Sequence, residues 1–90
     1  MPTLDSFDGI QIVMAREVGV PHNEPHIHAK YAEFYASFSF DGRKLSPGPF
    51  PIREARKVQN WLHTYKNQLA LMWAKLSAGQ NPGKLQKEEN

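Results

Sequence analysis

The sequence predicts an α+β fold, in which a three- to four-stranded antiparallel sheet is packed on one face by a long C-terminal helix. Two observations predict it. The first forty residues contain segments in which apolar and polar residues alternate, as they do in half-buried strands. The segment from Ile52 to about Ser77 then repeats apolar residues at helical spacing and contains no glycine or proline.

The strands begin with Gly9–Arg16, where Ile10, Ile12 and Met14 alternate with other residues and mark one apolar face. The next stretch, Glu17–Pro25, contains two prolines and a glycine, which predict a loop.

Two further alternating segments, His26–Tyr31 and Phe34–Phe40, predict a hairpin whose turn is Ala32-Glu33. In this register the apolar pairs fall on one face and the polar pairs on the other. The apolar pairs are Tyr31/Phe34, Ala29/Ala36 and Ile27/Phe38, and the polar-face pairs are Lys30/Tyr35, His28/Ser37 and His26/Ser39. A tight turn of this kind favours glycine or asparagine, so Ala-Glu is a poor turn sequence.

Asp41-Gly42 is a better turn sequence, and we expect a short strand near Arg43–Leu45 after it. The proline-rich SPGPFP, residues 46–51, then leads into the helix, with Pro51 near its first turn. Gly79 marks the helix end. We therefore expect one domain over residues 1–79 and a flexible C-terminal tail over residues 80–90.

The predicted helix is too long for the sheet, since 26 residues span ~39 Å and strands of six to eight residues only about 20–27 Å. Its far end, Leu69–Ala74, is apolar on every side. A break near His63–Lys66 would let it fold back. We favour the alternative, a helix-mediated homodimer centred on Leu71, Met72 and Trp73.

Charge is distributed unevenly along the chain. Residues 1–42 carry a net charge of −4 and residues 43–75 a net charge of +6. This asymmetry indicates an anionic partner, either nucleic acid or an acidic protein, although a solvated helix face is the alternative. The basic residues that cluster where SPGPFP meets the helix are Arg43, Lys44, Arg53, Arg56 and Lys57.

Other features of the composition exclude classes of protein. The chain has no cysteine, which excludes disulfides and thiolate chemistry and fits a reducing compartment. No secretory signal or membrane-length apolar run is visible, so we expect a cytoplasmic protein without a membrane partner. No sequence feature calls for a cofactor.

Three of the four histidines, His22, His26 and His28, lie within seven residues. On a strand, His26 and His28 point to the same face and could hold a phosphate or a metal. As zinc ligands the three are weak candidates, because no H-E-x-x-H or C-x-x-C spacing accompanies them. The remaining interpretation is a pair of half-exposed polar strand residues.

The segments "EPHIHAKYAEFYASFSFDGRKLSPGPFP" and "REARKVQNWLHTYKNQLALMWAKLSAG" resemble small bacterial proteins of the family called domain of unknown function 4160. The resemblance covers about residues 1–79 and is strongest at Pro25-His26-Ile27-His28. That family usually has glycine where this chain has Ala32. The resemblance implies no established activity, but it implies a partner protein encoded alongside and hence a two-gene, toxin–antitoxin-like system.

A looser analogy links the chain to HicA toxins, small ribonucleases that also place a histidine at the start of a strand. By this analogy His26 or His28 would be the general acid or base. Our leading hypothesis remains a non-enzymatic interaction component that binds a partner protein or nucleic acid. A HicA-like ribonuclease and a metal-binding module are the alternatives.

Overall fold

The computed structural model describes residues 3–14 and 24–87 of the chain. Four antiparallel strands lie side by side in chain order, and one helix follows. The elements are β1 Thr3–Phe7, β2 Ile10–Val13, β3 His26–Tyr31, β4 Phe34–Ser39 and α1 Ile52–Ser77. The predicted α+β fold is confirmed, and α1 is a single continuous helix.

Strand β1 is the element that the sequence pattern did not predict. Its sequence, TLDSF, has no apolar alternation, and its register with β2 shifts between Thr3 and Asp5. The turn into β2 explains its position. Asp8 and Gly9 both take positive φ, at 50° and 78°, as a two-residue hairpin turn with the twist of paired strands requires. This turn brings β1 back along β2 despite its polar sequence.

The β3–β4 hairpin has the predicted register, with all six expected pairs from His26↔Ser39 to Tyr31↔Phe34. The turn is also as predicted, and Ala32 takes a φ of 52°. A left-handed backbone costs an L-residue such as alanine roughly 1–2 kcal/mol. The pairing of the two strands therefore outweighs an unfavourable residue in the turn that joins them.

The strand expected at Arg43–Leu45 is reduced to a single bridge between Phe38 and Lys44. The Leu45 amide donates to the Ser37 carbonyl at 2.8 Å, and the Ser37 amide donates to Ser46 Oγ at 3.0 Å. Beyond Ser46 the prolines have no N–H to extend a ladder. The segment therefore covers the edge of β4 without becoming a strand.

The core lies between the sheet and α1. Ile10, Ile12, Ile27 and Phe38 are fully buried, and the helix contributes an equally buried stripe. Burying one such side chain contributes ~2 kcal/mol. The helical members of the buried cluster are Val58, Trp61, Leu62, Leu69 and Met72.

Helix α1 ends at Ser77, as predicted, and Gly79 just beyond it takes a φ of 78°. The Gly79 amide donates to the Leu76 carbonyl at 3.0 Å and the Gln80 amide to the Lys75 carbonyl at 2.8 Å. This pair of hydrogen bonds is the Schellman motif, in which a left-handed glycine satisfies the last carbonyls of a helix. The helix has no break near His63–Lys66.

Asp5 joins β1, α1 and the C-terminal segment. Its buried carboxylate accepts hydrogen bonds from Trp61 Nε1 and Lys87 Nζ, each at 2.7 Å. Burial raises the pKa of Asp5, but the hydrogen bonds from Lys87, Trp61 and the Ser6 amide outweigh it and lower that pKa overall. A buried indole N–H needs a partner, and here β1 supplies it.

Residues 80–87 make few contacts with the domain. The Gln68 amide group pairs with both backbone groups of Gln86, at 2.7 and 2.8 Å, and Leu85 packs against the core. These contacts join the end of the described chain to α1. Flexibility of residues 80–90 stays a prediction.

Candidate functional site

The histidines of β3 share one face, as their i, i+2 spacing predicts. The ring centroids of His26 and His28 lie 5.0 Å apart at an interplanar angle of 84°. The expectation that both rings are half-exposed is wrong, because only 8% of His26 and 7% of His28 is exposed. The pair lies inside the protein rather than on an open sheet surface.

Each histidine ring has a hydrogen-bond partner. His26 Nδ1 lies 2.8 Å from the carbonyl oxygen of Glu24. Because a carbonyl oxygen only accepts, this contact places a proton on Nδ1. His28 Nδ1 lies 3.2 Å from Oγ of Ser37, its cross-strand partner.

Aromatic rings cover the pair from both sides. The Trp73 ring lies 5.3 Å from His26 and 6.0 Å from Phe40, and the Tyr35 ring stacks on His28 at 5.4 Å and 21°. Strand alternation places His26 on the face of the sheet away from Phe38. Trp73 of α1 nevertheless contacts His26, which it does at the end of the sheet where β3 begins. The far end of α1 is thus held by the domain itself through Trp73.

This arrangement gives little support to the hypotheses that His26 and His28 are catalytic or bind a metal. Rings that are nine-tenths buried and hydrogen-bonded present little surface to a phosphodiester substrate. Among residues 3–14 and 24–87, no group of three or more metal-ligating side chains comes together. The third weak metal candidate, His22, lies outside the described residues.

The predicted basic cluster separates into paired and unpaired residues. Arg43 binds Glu24 and Asp41, the latter at 3.0 Å, and Lys57 Nζ lies 3.3 Å from Asp8 Oδ2. The hydrogen bond from Ser39 lowers the pKa of Asp41, and the hydrogen bond to Asp41 raises the pKa of Arg43. These cations are largely neutralised within the domain.

Lys44 differs from them because it has no carboxylate partner in the described chain, although its Nζ donates to the Ser46 carbonyl at 2.6 Å. Arg53 and Arg56 are exposed on the first turns of α1. Over residues 3–14 and 24–87, neither arginine forms an ion pair. Of the five predicted residues, these two are the most available to an external anion.

Arg53 and Arg56 are the first members of a row of polar side chains along α1. Its members follow one another at spacings of three and four residues, all are exposed, and none is acidic. Three of them, Asn60, His63 and Asn67, are not among the predicted site residues, although a helical projection of the polar side of α1 places them in line with the arginines. We call this row the outer strip, and it consists of Arg53, Arg56, Asn60, His63 and Asn67.

The proposed interface residues differ in exposure. Leu71 is 68% exposed, whereas Met72 is 5% exposed and lies in the core. Trp73 is partly buried against His26 and Phe40. Of the three, Leu71 presents the most apolar surface to solvent.

Together these features define a small α+β domain with a buried aromatic–histidine cluster and an exposed, acid-free helix ridge. The chain belongs to the family described as Domain of unknown function (DUF4160), whose model matches residues 9–74. The match includes all of β2, β3 and β4 and most of α1. Comparison with curated proteins and with solved structures returned no match.

Among the described elements, α1 is the one helix whose capacity to span a membrane has to be considered. Within the described residues, no helix combines the length and the apolar character needed to cross a membrane.

Proposed function

We propose that this chain is a cytoplasmic, non-enzymatic binding component that docks nucleic acid on the outer strip of α1 through Arg53 and Arg56. The observation that carries the proposal is the charge of the helix. Its one acidic residue, Glu54, is buried, while the basic residues of α1 are exposed or half-exposed. Those basic residues are Arg53, Arg56, Lys57, Lys66 and Lys75.

The position of the arginines supports a binding role. Positive side chains near a helix N-terminus oppose the helix dipole, at about 0.3–1 kcal/mol each. In the described chain neither Arg53 nor Arg56 forms an ion pair with a carboxylate that would offset this cost. Phosphate groups would do so, because a guanidinium binds phosphate with paired hydrogen bonds.

The biological setting that we propose is a two-gene, toxin–antitoxin-like or regulatory system. The family resemblance supports this setting, since it implies a partner protein encoded alongside. In such a system the chain would bring its co-encoded partner to nucleic acid. If the outer strip binds that partner instead, nucleic-acid binding by the isolated chain will be absent.

The test is fluorescence anisotropy of labelled duplex DNA, single-stranded DNA and RNA, titrated with the purified chain over a range of salt concentrations. We expect affinity to fall with salt, with a log–log slope of about −0.9 per neutralised phosphate on duplex DNA. The double variant Arg53→Gln, Arg56→Gln should weaken binding. It should also reduce the magnitude of the salt slope by the contribution of about two phosphates.

The matched control is Lys30→Gln with Lys84→Gln, which removes the same charge from exposed residues outside α1. Equal loss in both double variants would reduce the effect to net charge and contradict the proposal. So would absence of binding at low salt. Cleavage of the RNA probe, abolished by His26→Ala or His28→Ala, would replace the binding role with the ribonuclease alternative.

We also propose that the chain forms a homodimer through α1 near Leu71, with Met72 and Trp73 beside the contact. The support is the exposed apolar side chain of Leu71 between Ala70 and Ala74, which are exposed too. Sedimentation at tens of micromolar should show a dimer for the wild type and a monomer for Leu71→Glu. Leu45→Glu, a change at another exposed leucine, should remain dimeric. A monomeric wild type would defeat this proposal.

A further inference from the structure

We infer that the outer strip recognises duplex DNA, with α1 lying in the major groove and with Asn60, His63 and Asn67 contacting base edges. The inference rests on the proposed function, because it names the ligand and the reading residues of the same surface. It assigns the arginines to phosphate contacts and the three following residues to sequence preference.

The length and alignment of the strip fit this assignment. Alternating spacings of three and four residues keep its members on one side of a helix. From Arg53 to Asn67 the helix rises ~21 Å at 1.5 Å per residue. That length corresponds to about six base pairs at ~3.4 Å each.

The shape of the domain also suits a groove. The buried stripe of α1 faces the sheet, so the outer strip is a convex ridge on the opposite side. The major groove of B-form DNA is about 12 Å wide and admits one helix. Zinc-finger domains use the same arrangement, with a helix that packs on a hairpin by one side and enters the groove by the other. The major groove of A-form RNA is too narrow for a helix.

The side chains have the required chemistry. An asparagine amide can donate to and accept from adenine at once, and exposed imidazole can do either. Among the described residues, no hydrogen bond occupies the side-chain amides of Asn60 and Asn67, since Thr64 Oγ1 bonds only the Asn60 carbonyl. The strip ends where Ala70 and Leu71 replace polar residues.

The experiment begins with selection of preferred duplexes from a random DNA library by the full-length wild type. Affinities are then measured for the selected duplex and for single mismatched variants. We expect Asn60→Ala and Asn67→Ala each to reduce the discrimination between matched and mismatched duplex by about 5- to 100-fold at the affected position. Neither change should alter the salt slope.

Two controls separate reading from folding and from charge. Arg53→Gln should flatten the salt slope while preserving discrimination, because phosphate contacts carry no sequence information. Ser77→Ala, at the far end of α1, should change neither quantity. Thermal unfolding by circular dichroism establishes that each variant is folded before its binding is compared.

Three results would overturn the inference and leave nucleic-acid binding intact. These are equal binding of all duplexes by the wild type, a preference for RNA or single strands, and unchanged discrimination in the folded Asn60→Ala and Asn67→Ala variants. Absence of any nucleic-acid binding would overturn the proposed function as well.

Discussion

Polar and charged side chains gather at two places in this domain, and the two differ in how their groups are satisfied. At the start of β3, His26 and His28 are buried, hydrogen-bonded and in contact with the Trp73 and Tyr35 rings. Along the outer strip of α1, Arg53 and Arg56 are exposed and have no ion-pair partner in the described chain. The polar groups of the first region have partners within the domain, whereas the two arginines of the second are open to solvent.

A local density of reactive residue types does not by itself mark a functional site. Histidines within one short segment suggest chemistry, but burial and existing partners make them part of the packing. Polar residues spread over the fifteen positions from Arg53 to Asn67 look unremarkable in sequence, yet the fold leaves them exposed together. Four predictions run from the largest expected effect to the smallest, and the first two test whether the first region is structural.

Removing the Trp73 ring should have the largest effect. Trp73→Ala deletes the ring that covers His26 and packs against Phe40. We expect the free energy of unfolding to fall by about 3 kcal/mol, as for other truncations of large packed aromatic side chains. Urea denaturation followed by circular dichroism measures the change.

The matched control for Trp73 is Lys66→Ala on the same helix. Lys66 is exposed and lies outside the proposed dimer contact, so its truncation should change the free energy of unfolding by less than about 0.5 kcal/mol. Equal effects of the two changes would mean that Trp73 does not cover the histidine cluster.

Removing either histidine should have the next largest effect. His26→Ala or His28→Ala leaves a cavity among aromatic rings and removes the hydrogen bond to Glu24 or Ser37. We expect a loss of about 2 kcal/mol in each case. Lys30→Ala, an exposed change in the same strand, is the control and should be near neutral. Variants as stable as the wild type would reopen a functional role for the pair.

Asp5 should make stability depend on pH. Its pKa is below its ordinary value of 3.8, because hydrogen bonds from Lys87 and Trp61 outweigh the effect of burial. The stabilisation from Asp5 is therefore present above the unfolded pKa and is lost as the pH falls through the lower folded pKa.

Asp5→Asn should lower the free energy of unfolding at pH 7 by about 1 kcal/mol, a figure that allows for screening near the surface. It should also reduce the loss of stability on acidification. Urea titrations between neutral pH and pH 2–3 compare it with Asp8→Asn, a change at a carboxylate that is 64% exposed. An identical loss of unfolding free energy on acidification for Asp5→Asn and the wild type would contradict the prediction.

The smallest expected effect is a gain. Ala32→Gly relieves the positive φ of 52° at the β3–β4 turn, but it also makes the unfolded chain more flexible. The net stabilisation should be roughly 0.5 kcal/mol, visible as a higher urea midpoint. Glu33→Gly is the control, because Glu33 is the neighbouring turn residue and does not take a positive φ. This change should not stabilise the protein.

Features that depend on local periodicity could be predicted from the sequence. The hairpin register follows from alternation, because a shift by one residue would exchange the apolar and histidine-bearing faces. The bounds of α1 follow from an uninterrupted apolar stripe that Gly79 ends. These features involve residues close together in the chain, so a single sequence is enough to predict them.

Which polar groups meet partners that are distant in sequence depends on the three-dimensional packing and could not be predicted. Trp73 buries His26, Trp61 and Lys87 bind Asp5, Asp8 pairs with Lys57, and Glu24 pairs with Arg43. Strand β1 joins the sheet although its own pattern is not that of a strand. The contacts of Trp73, Trp61 and Lys57 depend on how α1 crosses the sheet, which periodicity does not specify. The same crossing leaves the outer strip exposed.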